Sequence, residues 1–138
     1  MLVANAGSRK PYGWLAGFGM ARDTTAPISD WGEDAQSVVT AMRGAMDDAG
    51  VTAIDAIFVS ANGSRRGDEL ERRAIAESFP GIETVPTKQI FGEYAAGGAL
   101  QLVAALVALD EGRYDSVLVN SLSAGGGIVC AVLSREGA

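Results

Sequence analysis

Chemistry, if this 138-residue chain performs any, would have to come from a few polar residues set against a largely apolar sequence. Lys88 and Glu93 bracket a turn in front of an apolar run that begins at Ala95. A carboxylate at Glu93 would either interact with the positive end of the following helix or with Lys88, or serve as a general base in a pocket closed by a partner. Asn62, immediately before Gly63, is either a loop residue that tolerates a left-handed turn or an amide donor to an oxyanion. Asp68 and Glu71 have capping-box spacing. Arg65, Arg66, Arg72 and Arg73 form a basic concentration that reads as a solvated edge or as a surface for an anionic group.

What is missing narrows the chemistry further. The sequence contains no histidine, so no imidazole base, relay or ligand can come from it. Its one cysteine, Cys130, lies among Ile128, Val129, Ala131 and Val132 and reads as a buried, inert thiol. With a single cysteine and no histidine, neither a zinc site nor an internal disulfide is expected, and no cofactor is implied. Seventeen acidic residues against eleven basic ones give a net charge of −6, which attracts neither nucleic acid nor an anionic membrane. The N-terminal MLVANAGSRK has no export signal, so the expected compartment is the cytoplasm.

The elements that must position these residues follow one another as β-α-β-α-β-α-β-β. Residues 1–11 read as a loose lead-in. Tyr12 to Gly19 alternates large and small side chains as a strand does. Asp30 and Glu33 have capping-box spacing for a helix of about residues 32–49, with Val38, Met42, Ala45, Met46 and Ala49 on one face and Gly50 at its end. Ile54 to Ser60 is a β-branched strand, and ANGSRRGD after it is a loop. Asp68 and Glu71 head a second helix with Leu70, Ala74 and Ile75 turned inward, stopped at Pro80. A short strand around Glu83 to Pro86 leads to the apolar helix, which stops at Asp110. Strands Asp115 to Ser121 and Gly127 to Ser134 close one α/β domain over residues 1–138, its five-stranded sheet mixed, with an antiparallel pair at the end.

The third helix is apolar around nearly its whole circumference, with only Gln101 polar between Ala95 and Asp110. It is too short to span a bilayer, for which roughly 20 apolar residues are needed. A helix with no polar face must be buried on every side, so something outside a lone copy of this fold is expected to cover it.

The string TKQIFGEYAAGGALQLVAALVALDEG resembles the Lys-x-x-x-Gly-His segment and central helix of elongating β-ketoacyl-acyl carrier protein synthases. SANGSRRGDELERRAI resembles their Ala-His-Gly-Thr loop with its Asp-x-x-Glu. AGFGMARDTTAP and VNSLSAGGG, with Asn120, are similar to the strand that opens and the turn that nearly closes the C-terminal half of that family. The resemblance is collinear over roughly residues 10 to 136. It implies a thiolase fold, in which two βαβαβαββ halves pack into a five-layer sandwich around their third helices. This chain would be one such half, its third helix packed against a partner half.

The resemblance carries departures with it. The family's nucleophilic cysteine comes from the first half, and Cys130 matches no nucleophile position. Asn62 and Glu93 stand where the two catalytic histidines would be, and the loop from Asn62 to Asp68 is two residues shorter than the family pattern. A carboxylate at Glu93 would repel a developing enolate, so decarboxylative condensation by the usual route should fail. Lys88, Asp68 and Glu71 match the supporting lysine and acidic pair, and are expected to hold loops through an ion pair and helix capping. The resemblance implies a non-catalytic, chain-length-factor-like subunit paired with a companion ketosynthase-type chain in fatty acid or polyketide biosynthesis. Arg65, Arg66, Arg72 and Arg73 would then be candidate contacts for an acyl carrier protein. Two alternatives stay open: the C-terminal lobe of a split acyl-thioester enzyme whose cysteine lies on the partner, and a self-associating structural or ligand-binding homodimer.

Overall fold

The computed structural model describes residues 10–93 and 95–136; most of the expected lead-in, residues 1–9, lies outside them. The elements are β1 (Trp14–Arg22), α1 (Ala35–Ala49), β2 (Ala56–Phe58), α2 (Arg65–Ser78), β3 (Glu83–Val85), α3 (Lys88–Phe91), α4 (Gly97–Asp110), β4 (Ser116–Leu122) and β5 (Gly127–Ser134). The five strands form one mixed sheet in the order β1-β5-β4-β2-β3. β2 runs parallel to β3 and β4, and β5 runs antiparallel to β4 and β1. The α/β architecture is the one expected, with α3 added as a single turn and α4 as the apolar third helix.

Each face of the sheet has its own core. On one face, α1 and α2 bury Val38, Met42, Ala45, Leu70 and Ile75 against Ile57, Leu118, Cys130 and Val132. On the other, α4 sets Ala105, Ala108 and Leu109 on Ala56, Phe58, Val117, Val119 and Leu133. α1 reaches β1 closely because Gly17 and Gly19 have no side chain: a Cβ on Gly19 would run into the backbone at Ala41 and Ala45.

Several element ends differ from the sequence reading. β1 starts two residues later than Tyr12 and runs on to Arg22, since Met20, Ala21 and Arg22 find antiparallel partners in Val129, Ile128 and Gly127. The N-cap of α1 is Asp34, whose side chain accepts from the Gln36 N–H; Asp30 instead accepts from the Trp31 N–H and from Arg66. β2 contracts to three residues flanked by loop. α2 begins at Arg65 behind Ser64, so Arg65 and Arg66 belong to its first turn rather than to the loop, and Asp68 and Glu71 lie inside the helix.

α4 is only partly covered by its own chain. Gly97, Gln101, Ala105, Ala108 and Leu109 are buried, while Leu100, Val103 and Val107 are 36%, 53% and 41% exposed. Spaced three and four apart, they form one apolar stripe on the outer side of the helix. Within the described residues, therefore, the chain does not bury this helix by itself, as expected for a helix that something outside a lone copy must cover. The sheet face on which α4 lies also carries open apolar side chains. Leu15 pairs with Leu133 on the α4 face, and an irregularity in register between Leu15 and Gly17 keeps Phe18 and Met20 on that same face, beside Ala131 and Val129. Phe18 is 53% and Met20 67% exposed. None of the described helices is long and apolar enough to cross a membrane.

Candidate functional site

The parallel strands β2, β3 and β4 all deliver their chains to one end of the sheet, the place where open α/β folds gather polar groups. The loop after β2 brings Ser60 and Asn62 there, the chain after β3 brings Lys88, and the end of β4 with the turn that follows it brings Ser121 to Ala124. Of these, Asn62, Lys88 and residues 121–124 line an open cavity of about 510 Å³ together with Trp31, Glu93, Ala95 and Gly98.

Glu93 is the centre of the cavity's polar wall. Its Oε2 accepts from Lys88 Nζ at 2.7 Å and from Asn62 Nδ2 at 2.8 Å. Lys88 is almost fully buried, its side chain 3% exposed against 43% for Glu93. The same ammonium lies 3.3 Å from Ser60 Oγ, which in turn accepts from the Leu122 N–H. Asn62 is oriented from both sides: its Oδ1 accepts from the Ser64 N–H, and its backbone N–H donates to Asp68. Asp68 also accepts from the Gly63 N–H, so this carboxylate clamps the loop to the first turn of α2.

Glu71 points away from the cavity into the core. Its Oε1 accepts from the Ser60 N–H at 2.9 Å and from Asn120 Nδ2 at 3.0 Å, and only 2% of the residue is exposed. Burial raises its pKa to about 7, the hydrogen bonds from Ser60 and Asn120 offsetting only part of the lost hydration. Neither Asp68 nor Glu71 forms the expected ion pair with Lys88; Glu93 does. Cys130 is fully buried, and its burial together with the charge of Glu71 pushes the thiol well above its ordinary range.

The four arginines separate. Arg66 bonds Asp30 at 2.6 Å and the Trp31 carbonyl at 2.9 Å, and Arg72 pairs with Glu69 on its own helix. Arg65 and Arg73 are exposed, and neither forms an ion pair among the described residues. Sequence reasoning missed Ser60, which it left as the last residue of a strand, and Trp31, whose ring packs against Gly67 of α2. Their roles depend on partners far along the chain, and no local pattern marks them. No group of His, Cys, Asp or Glu that could hold a metal occurs among the described residues.

Chemically, both donors of the cavity wall are engaged by a carboxylate of the chain itself. An enolate developing beside Asn62 and Lys88 would meet the Glu93 charge.

Comparison with known proteins gives a family match and a set of structural likenesses. The family model described as "Beta-ketoacyl synthase, C-terminal domain" matches residues 12–119. No curated protein matches the chain. Among solved structures, "The ishigamide ketosynthase/chain length factor" superposes with a TM-score of 0.82 at 23% identity, over 91% of this chain and 38% of that one. The ketosynthase ApeO in complex with its chain length factor ApeC from Xenorhabdus doucetiae gives a TM-score of 0.81 at 19% identity, over 91% and 40%. A type II polyketide synthase acyl-carrier protein in complex with its ketosynthase bound to the hexaketide gives 0.78 at 17%, over 89% and 38%. At these identities the likeness concerns the fold, and this chain spans 38–40% of the length of each of these structures.

Proposed function

The chain belongs to the β-ketoacyl synthase C-terminal domain family, and from that premise we propose that it is a non-catalytic, ketosynthase-like subunit seated against a companion half in fatty acid or polyketide biosynthesis. In this reading residues 1–138 are one thiolase-like unit, and its compartment is the cytoplasm. The observation that carries the proposal is the uncovered apolar stripe Leu100, Val103 and Val107 of α4, with Phe18 and Met20 of β1 also open on the sheet face that α4 lies on. Uncovered apolar surface of this kind marks an interaction site, and a companion of the same fold would present a matching helix.

Three features of the residues support the non-catalytic reading. The sequence supplies no histidine, Cys130 is buried away from the cavity, and Glu93 places a negative charge beside both donors. We assign Lys88, Asn62 and Glu93 to holding the cavity wall, and Asp68, Glu71 and Asn120 to fixing the loop and strand behind it. Arg65 and Arg73, exposed and outside the ion pairs, are the arginines best placed to meet an acidic carrier protein or its phosphopantetheine phosphate.

Co-expression of the tagged chain with a candidate ketosynthase-type companion, followed by size exclusion, tests the reading. The expected outcome is a one-to-one complex that Val103→Asp abolishes, with an acyl carrier protein captured less well by the Arg65→Glu, Arg73→Glu variant. A chain that pairs only with itself through the same stripe would favour the homodimer instead. A strictly monomeric chain that ignores every companion would overturn both.

A further inference from the structure

We propose that Glu93 is the built-in occupant of a carboxylate site: Asn62 and Lys88 form a two-donor anion position at the head of α4, and the chain fills it with its own side chain. The inference goes beyond the subunit role and does not depend on any companion, because every group involved lies in this chain.

The two donors converge on a single oxygen, Oε2, at 2.8 and 2.7 Å. Each is held by contacts that do not involve Glu93. Asn62 is fixed by the Ser64 N–H on its Oδ1 and by Asp68 on its backbone, while Lys88 has Ser60 Oγ as a second neighbour. The donor geometry should therefore survive removal of the carboxylate. The other oxygen, Oε1, lies against Gly97, where a Cβ would stand 3.1 Å from it and 3.5 Å from Lys88 Cε. The absent methyl group leaves room for a carboxylate between the ammonium and the first turn of a 14-residue helix.

Access and demand for an anion are both present. The position opens onto the 510 Å³ cavity, and Glu93 is half-exposed toward it. Lys88 is buried, and a buried ammonium left without a counter-charge is strongly disfavoured. Without Glu93, the site should take a small monocarboxylate such as formate or acetate, which offers the same two oxygens. With Glu93 in place, it should refuse carboxylates and enolates alike.

The test is thermal unfolding of the full chain against formate, with chloride at equal ionic strength as the control. Glu93→Ala should melt below the parent chain and recover saturably, by roughly 3 °C or more, in formate but not in chloride. The parent should not respond. Glu93→Gln, which fills the position with a neutral amide, should melt below the parent and ignore formate. If Glu93→Ala fails to fold in plain buffer, refolding in formate but not in chloride supports the site, and recovery in neither overturns it. No formate response in Glu93→Ala, or an equal one in the parent, also overturns it.

Discussion

Glu71 shows what a single buried acid does to a small domain. It is 2% exposed, accepts hydrogen bonds from Ser60 and Asn120, and titrates near 7 in the folded chain against an ordinary value of 4.5. The fold thus binds this proton more tightly than the unfolded chain does. The resulting stabilisation is fully present below about pH 4.5 and lost as pH rises through about 7. Its size is on the order of 2–3 kcal/mol between about pH 5 and about pH 8. Urea unfolding at those two pH values should show the parent losing that much relative to Glu71→Gln, which mimics the protonated acid throughout. Equal pH slopes for the two proteins would refute the assignment. The three-residue spacing of Asp68 and Glu71 was legible as a feature of a helix, but not the different tasks of the two carboxylates. Those are decided by Asn62 and Gly63 for Asp68, and for Glu71 by Asn120, which is 49 positions away. The Glu93 contact with Lys88 was open to sequence reasoning because the two residues lie five apart, whereas the contact with Asn62 spans 31 positions.

At the scale of elements, periodicity found every strand and the three long helices, and it misplaced ends where a distant partner decides them. β1 outlasts its alternating pattern because β5 supplies partners as far as Arg22. α2 starts three residues before Asp68 because Ser64 can take the cap position and the Asp68 N–H reaches the Ser64 carbonyl. The glycines of β1 read as small residues in an alternation, yet their function is to admit α1. Gly19 lies under the Ala41 carbonyl and Ala45 backbone, so a methyl group must displace a helix rather than a flexible side chain. Gly19→Ala should therefore cost about 1–3 kcal/mol or more. Gly44 faces Gly19 from α1, with 3.7 Å between its would-be Cβ and the Gly19 Cα. Gly44→Ala is expected to be neutral, or to gain up to about 1 kcal/mol from helix propensity. Denaturant midpoints of the two variants check the pair, and equal losses would show that the α1–β1 approach does not depend on Gly19.

For the whole molecule, the decisive feature is how unequally its two sheet faces are covered. α1 and α2 close one face, while on the other α4 covers Val117, Val119 and Leu133 but leaves Phe18, Met20 and Val129 open, and its own outer stripe is open too. Sequence alone showed that α4 had no polar side, but not that β1 would add open apolar side chains on the same face of the sheet; that depends on the register irregularity between Leu15 and Gly17. If stripe and sheet form one interface, a charge placed on either should have the same effect. The isolated chain is expected to associate with itself as concentration rises, since no companion shields this surface. Val103→Asp and Met20→Asp should each shift it toward monomer in sedimentation velocity, while unfolding free energies stay within about 0.5 kcal/mol of the parent, as for exposed positions. The double variant should add less than the sum of the two single effects, because either charge alone already spoils the shared contact. Full additivity would mean two separate surfaces, and the companion would then have to be sought on α4 alone.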